Sequence, residues 1–303
     1  MDHENPSSTN GITKLNRLYL WANDRSLGTV FLKWLSIHIQ NAQVINGIFT
    51  SCFYYGTELQ RSRVLREHYN TRAQETPLTD FPFVYDATAC TYSWAKSQLE
   101  CDYPGKDYLI CKDLPYALCG NHEVIPRGFR HTFLIRHPYK MFSSWKRTFG
   151  KMYPNTSSLS DTIEENYYSY NYKEQYEVLK YLQEHPELGD PNPIVIDTDN
   201  LLSQPARVLS HYCQDIGVPY TDDMLQWTSG TDVVKRWKIS SQLCGGGLHD
   251  SEWGFYKTAM ESSYFLPPKK LPERSELEED VLACADDVMP FYDKMYNMRT
   301  IRL

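Results

Sequence analysis

The sequence predicts an α/β fold, a mostly parallel central sheet flanked by helices. Three observations predict it: short, nearly continuous apolar runs that suit strands covered on both faces, helical patterns that alternate with them, and polar turns where each run gives way to its helix. The chain has 303 residues, 41% of them apolar, enough to bury a sizeable core.

Residues 1–14 are rich in Ser, Asn and Gly and read as a disordered leader, so that residues 15–303 form a single domain. Residues 17–22 (RLYLWA) are the first strand; the turn Asn23-Asp24-Arg25-Ser26 follows, and residues 29–40 are a helix with a wide apolar face. The unit recurs. Residues 107–111 run into Lys112-Asp113, with Pro115 opening a short helix, and residues 131–135 end at Arg136, with Pro138 in a first helical turn that tolerates a missing amide. Residues 193–196 run into Asp197, and Pro205 opens a helix that stops near Gly217. Long helices are expected over 58–72, 162–184 and 276–298, with Pro290 a point where the last would break.

Charge narrows the function. With 31 basic against 38 acidic residues the net charge is −7, which argues against nucleic-acid or membrane-surface binding. Its distribution is uneven: from Val124 to Ser160 there is no carboxylate, while Arg127, Arg130, Arg136, Lys140, Lys146, Arg147 and Lys151 give +7. No eighteen-residue apolar run and no signal-like N-terminus occur, so a cytoplasmic chain without a membrane span is expected. The eight cysteines form no C-x-x-C pair and read as reduced thiols, with no metal site.

In a parallel sheet ligands gather beyond the carboxyl ends of the strands. There, Arg25, Ser26, Gly28 and Thr29 put a guanidinium and two hydroxyls at a helix N-terminus, whose free amides and dipole favour phosphate or sulfate. A capped helix with an exposed Arg fits the same residues. The loop lacks the G-x-x-x-x-G-K-[ST] of a Walker A loop, which disfavours a nucleotide-dependent phosphotransferase. Arg136, with Ser144 two helical turns on, offers a second anion grip inside the acid-free window, although both residues also suit capping and packing.

WANDRSLGTVF resembles the 5′-phosphosulfate loop of the sulfotransferase family, and FLIRHPYKMFSSW resembles its 3′-phosphate motif of Arg followed by Ser eight residues later. The stretch VIDTDNLLSQPARVLSHYCQDIGVPYTDDMLQW is similar to a further strand and helix of the family, and WGFYKTAMESSYFLPP echoes it more weakly. The resemblance implies a P-loop NTPase-like sulfotransferase fold and a transferase that moves the sulfuryl group of 3′-phosphoadenosine-5′-phosphosulfate (PAPS) to a hydroxyl or amine of a small, partly hydrophobic acceptor, without a metal. It implies that Arg25 neutralises the bridging oxygen. Ser26, Thr29 and the loop from Leu27 through Gly28 to Val30 would hold the 5′-phosphate, and Arg136 and Ser144 the 3′-phosphate.

Departures from the family pattern shape further expectations. Asp24 stands where a Pro usually precedes the basic residue, and its side chain is expected to point away from the donor. Asp113 occupies the place of the family's catalytic His, so it is either the base or a structural carboxylate paired with Lys112. His122 is a reserve base, and His137 suits a helix cap. Trp34 and Trp237 are candidates for stacking on adenine or for the core. The clusters Phe53-Tyr54-Tyr55, 81–85 and 167–172 could wall an acceptor pocket or simply pack, and Cys244-Gly245-Gly246-Gly247 could be a lid or a linker. A catalytically silent PAPS-binding protein is the alternative to an enzyme. Oligomeric state, monomer or homodimer, stays open.

Overall fold

The computed structural model describes residues 15–58, 70, 71, 74, 78–152, 158, 159, 171–248 and 256–301. Five strands form one sheet: β1 (Asn16–Ala22), β2 (Ala42–Asn46), β3 (Tyr108–Asp113), β4 (Arg130–Ile135) and β5 (Ile194–Asp197). Their order is β2-β3-β1-β4-β5, and every pairing is parallel. The register sets Trp21 opposite Asp113 on one side and opposite Phe133 on the other. After β1 the chain crosses to the edge strand β2 and returns to β3 beside β1, then crosses to the other side and builds outward through β4 and β5. The loop after β1 thus lies where the winding reverses, the point at which such sheets open a crevice.

Alternation along β1 splits the core in two. Leu18, Leu20 and Ala22 join the cluster that includes α1 (Gly28–His38) and α7 (Pro205–Ile216), whereas Tyr19 and Trp21 join the cluster on the other face. That second cluster holds α2 (Ile48–Tyr54), α3 (Tyr92–Glu100), α4 (Pro138–Met152), α5 (Asn171–Glu184) and α10 (Glu279–Asn297). Further helices among the described residues are α6 (Thr198–Ser203), α8 (Ser241–Leu248) and α9 (Lys257–Glu261). A mostly parallel sheet flanked by helices is therefore the observed fold class. Val84–Tyr85 and Ile239–Ser240 add a separate two-residue parallel pairing.

Two expectations change. Helix α10 runs unbroken through Pro290, because the proline faces solvent, where water can satisfy the freed carbonyl, while Val288, Tyr292 and Met295 anchor the buried stripe on both sides. The segment from Cys244 to Gly247 is helical rather than a lid, and Leu243 and Cys244 fix it against the core. Residues 1–14, most of 58–72, residues 162–170 and the first four of the 167–172 tyrosine cluster lie outside the described residues. No described helix is long and apolar enough to cross a membrane.

Candidate active site

The turn after β1 is wound tightly. Arg25 and Leu27 both adopt positive φ, 60° and 62°, a left-handed conformation that costs non-glycine residues roughly 1–2 kcal/mol each and turns backbone amides toward one concave side. Leu27 caps α1, and the first intrahelical bond is donated by the Phe31 amide to its carbonyl at 2.9 Å. The amides of Gly28, Thr29 and Val30 precede that bond and are available to an anion. Gly28 permits the close packing of α1 on the sheet, since a Cβ there would stand 2.7 Å from Ala22 Cβ.

These amides open into a cavity of about 460 Å³. Its lining brings together Arg25, Leu27, Gly28, Thr29, Val30, Lys112, Arg136 and Ser144. The parts are linked directly: Arg25 Nε donates to Ser144 Oγ at 3.1 Å, and Arg136 Nη1 donates to the Arg25 carbonyl. Among the described residues Arg136 Nε is buried without a hydrogen-bond partner, and the guanidinium brings a cationic group to the cavity lining. Ser26 does not join the lining; its hydroxyl is buried beneath the loop against Tyr172.

Asp113 lies away from the cavity and is fully buried. Its Oδ1 accepts from the Thr50 amide at 2.8 Å and the Thr50 hydroxyl at 2.7 Å, and its Oδ2 from the Phe49 amide and the Tyr19 hydroxyl, both at 3.1 Å. The carboxylate thus caps the N-terminus of α2 and has no lone pair turned toward a substrate. This geometry corrects the expectation of Asp113 as base. It also separates Asp113 from Lys112, because neighbouring strand residues point to opposite faces. Lys112 faces the cavity; burial lowers its pKa, and the charges of Asp24 and Asp113 oppose that shift.

Asp24 also departs from expectation, because it lines the cavity instead of turning away. Its Oδ2 accepts from the Tyr116 hydroxyl at 3.0 Å, and Tyr116 is 2.9 Å from the Tyr54 hydroxyl. Burial raises the Asp24 pKa, against the opposing influences of Lys112, Tyr116 and Arg25.

The charge window proves less concentrated than its sequence suggests. Lys140 is paired with Asp199 at 2.7 Å, Lys146 with Glu278 at 2.6 Å and Asp280 at 2.7 Å, and Arg130 with Asp190. Of its seven basic residues, only Arg136 and Arg147 line the cavity. His137 Nδ1 accepts from the Tyr139 amide at 3.2 Å, a helix cap. His122 lies outside the cavity, with Nε2 3.6 Å from Glu174. Trp34 and Trp237 are core residues, donating to the Met224 carbonyl at 2.7 Å and to Ser36 Oγ at 3.0 Å. Among the clusters expected to wall an acceptor pocket, Tyr54 reaches the cavity.

Several participants were not singled out from the sequence. Gln175 on α5, fully buried, donates to the Leu134 carbonyl at 2.9 Å and accepts from Asn23 at 2.8 Å, tying the ends of β4 and β1 together. Tyr116, Trp145, Tyr256, Phe265 and Lys269 complete much of the wall. Tyr256 and Phe265 come from the segment around α9 whose sequence carries the weaker family echo, the one available signal for them, and Lys269 follows directly after it.

Curated relatives include two Arabidopsis thaliana proteins, branched-chain-amino-acid aminotransferase-like proteins 2 and 1. They are 26% identical over 210 residues and 29% identical over 169 residues, covering 65% and 55% of this chain. Those matches take in 32% and 25% of the relatives' own lengths. Among solved structures, the sulfotransferase domain from the Synechococcus PCC 7002 olefin synthase aligns with 90% of this chain and 94% of that one, at 14% identity and a TM-score of 0.43. Residues 188–299 match the family model described as a sulfotransferase domain.

Proposed function

We propose that the chain transfers the sulfuryl group of PAPS to the hydroxyl of a small, partly hydrophobic acceptor, as one cytoplasmic domain spanning residues 15–303. The observation that carries the reading is the Arg136 guanidinium, which lines the same cavity as the first turn of α1 and whose Nε has no hydrogen-bond partner among the described residues. A ligand with two anionic groups, held apart by a nucleoside, suits that pair of grips.

In this reading the amides of Gly28, Thr29 and Val30, with the Thr29 hydroxyl, hold the 5′-phosphosulfate. Arg136 and Ser144 hold the 3′-phosphate. Arg25 and Lys112, which line the same cavity, neutralise charge on the bridging oxygen as the S–O bond breaks. Preorganised donors of this kind are worth about 3 kcal/mol each in a transition state. Ser26 supports the loop from below rather than contacting the donor.

Calorimetry with 3′-phosphoadenosine-5′-phosphate (PAP) tests the assignment. Wild-type protein should bind PAP, Arg136→Ala should weaken it about 100-fold, and adenosine-5′-phosphosulfate, which lacks the 3′-phosphate, should bind both proteins alike. Absence of PAP binding to the wild type overturns the assignment. A second reading, a PAPS-binding protein without turnover, is favoured by one observation: the carboxylate in the place of the family's base is sealed off from the cavity. Incubation with labelled PAPS and a panel of phenols and alcohols, read by mass increase, separates the two.

A further inference from the structure

We propose that Asp24, and not Asp113, is the base that takes the proton from the acceptor hydroxyl. This rests on the donor assignment above. Three features of its placement support it. First, the Asp24 carboxylate lines the cavity and is oriented: Tyr116 engages Oδ2 at 3.0 Å, and Tyr54 stands 2.9 Å behind Tyr116. Second, no hydrogen bond among the described residues engages Oδ1, so one oxygen of a held carboxylate is available to a substrate. Third, Asp24 directly precedes Arg25, to which the donor assignment gives the bridging oxygen, and its hydrogen-bonded chain through Tyr116 leads to Tyr54 on α2.

The electrostatics suit the task. The groups that face Asp24 are Arg25 from its own loop, Lys112 from β3, Tyr116 from the turn after β3, Tyr54 from α2 and Tyr256 from the segment before α9. Burial moves its pKa up, toward that of an effective base at neutral pH. Arg25 and Lys112 together outweigh one carboxylate, and this disfavours an ammonium group. The hydroxyls of Thr50, Tyr54, Tyr116 and Tyr256, set among Leu114 and Leu243, instead suit a neutral alcohol or phenol.

The step balances. The acceptor oxygen forms a bond to sulfur as the bond from sulfur to the bridging oxygen of PAPS breaks. Its electron pair leaves with PAP, and the hydroxyl proton passes to Asp24 Oδ1 and then to water. The products are a sulfate ester, PAP and a proton.

Asp24→Asn keeps the volume and an oxygen for Tyr116. With labelled PAPS and the best acceptor of the panel, or water where no better acceptor is found, its kcat should fall about 100-fold or more, while PAP affinity stays within about threefold. Wild-type kcat/KM should rise with pH as Asp24 ionises, and the variant should lose that rise. Tyr116 is a positioning residue: Tyr116→Phe removes a bond to the ionised form, so the rise should move to higher pH, with kcat down about tenfold and KM little changed. A kcat for Asp24→Asn within threefold of wild type, or the same rise in its profile, overturns the proposal while leaving donor binding intact. Wild-type protein that binds PAP but transfers to nothing, water included, overturns it in favour of the silent binder. Wild-type protein that binds no PAP defeats the donor assignment and the base together.

Discussion

Asp24 and Asp113 stand at the carboxyl ends of neighbouring strands, and burial is the largest influence on both, pushing each pKa up. They differ in what their oxygens meet. Four donors from α2 and β1 close around Asp113, whereas Asp24 meets one hydroxyl and the cavity. Titration alone would rank them together; the hydrogen-bond inventory separates a carboxylate that holds a helix from one that can receive a proton. Asp113 has exchanged its water shell for a complete set of protein donors, so its loss strands those donors, while Asp24 keeps the unfilled capacity that reactivity needs.

The sharpest way to break this comparison is Asp113→Ala. It leaves the Phe49 and Thr50 amides, the Thr50 hydroxyl and the Tyr19 hydroxyl without their acceptor in a dry interior. We expect a loss of about 3–5 kcal/mol, measured by urea unfolding as a lower midpoint at unchanged slope, with PAP affinity of the folded fraction preserved. A stable variant with impaired PAP binding would return Asp113 to the site. A milder change isolates one strand of the argument: Tyr19→Phe deletes one donor to Asp113 while its ring remains stacked on Trp21, centroids 4.2 Å apart. It should cost about 1 kcal/mol and leave turnover unaltered.

The frame of this site was legible in the sequence because β1, β3, β4 and β5 are buried runs that declare themselves by composition alone. Strand β2, AQVIN, is half polar, and α2, IFTSCFY, is short and rich in β-branched and aromatic residues, so neither carries a periodic signal. Helix α2 owes its start to a carboxylate 63 residues away, a tertiary cap that no local pattern encodes. The same distance hid the role of Asp113. Its place in the chain resembles that of a base, and its neighbour Lys112 suggested a partner, but the donors that close around it come from Tyr19, Phe49 and Thr50. The acid-free window misled for a like reason, since Asp199, Glu278 and Asp280 arrive from far along the chain to neutralise Lys140 and Lys146.

The smallest effect has the opposite sign from Asp113→Ala and therefore tests the comparison most selectively. The folded-state pKa of Asp24 lies above its ordinary value of 3.8, so between the two values the folded protein holds more proton than the unfolded chain. Stability from this group is then fully present below about 3.8 and declines as pH rises through the folded-state pKa. Asn carries no such charge. Asp24→Asn should consequently unfold at a higher temperature than wild type at pH 8, and the difference should close as pH falls toward 3.8. Thermal unfolding of both proteins across that range measures it. A variant less stable than wild type at pH 8 would mean that the pull of Lys112 and Arg25 on the carboxylate outweighs its burial, in which case Asp24 is held in place by charge as Asp113 is by hydrogen bonds.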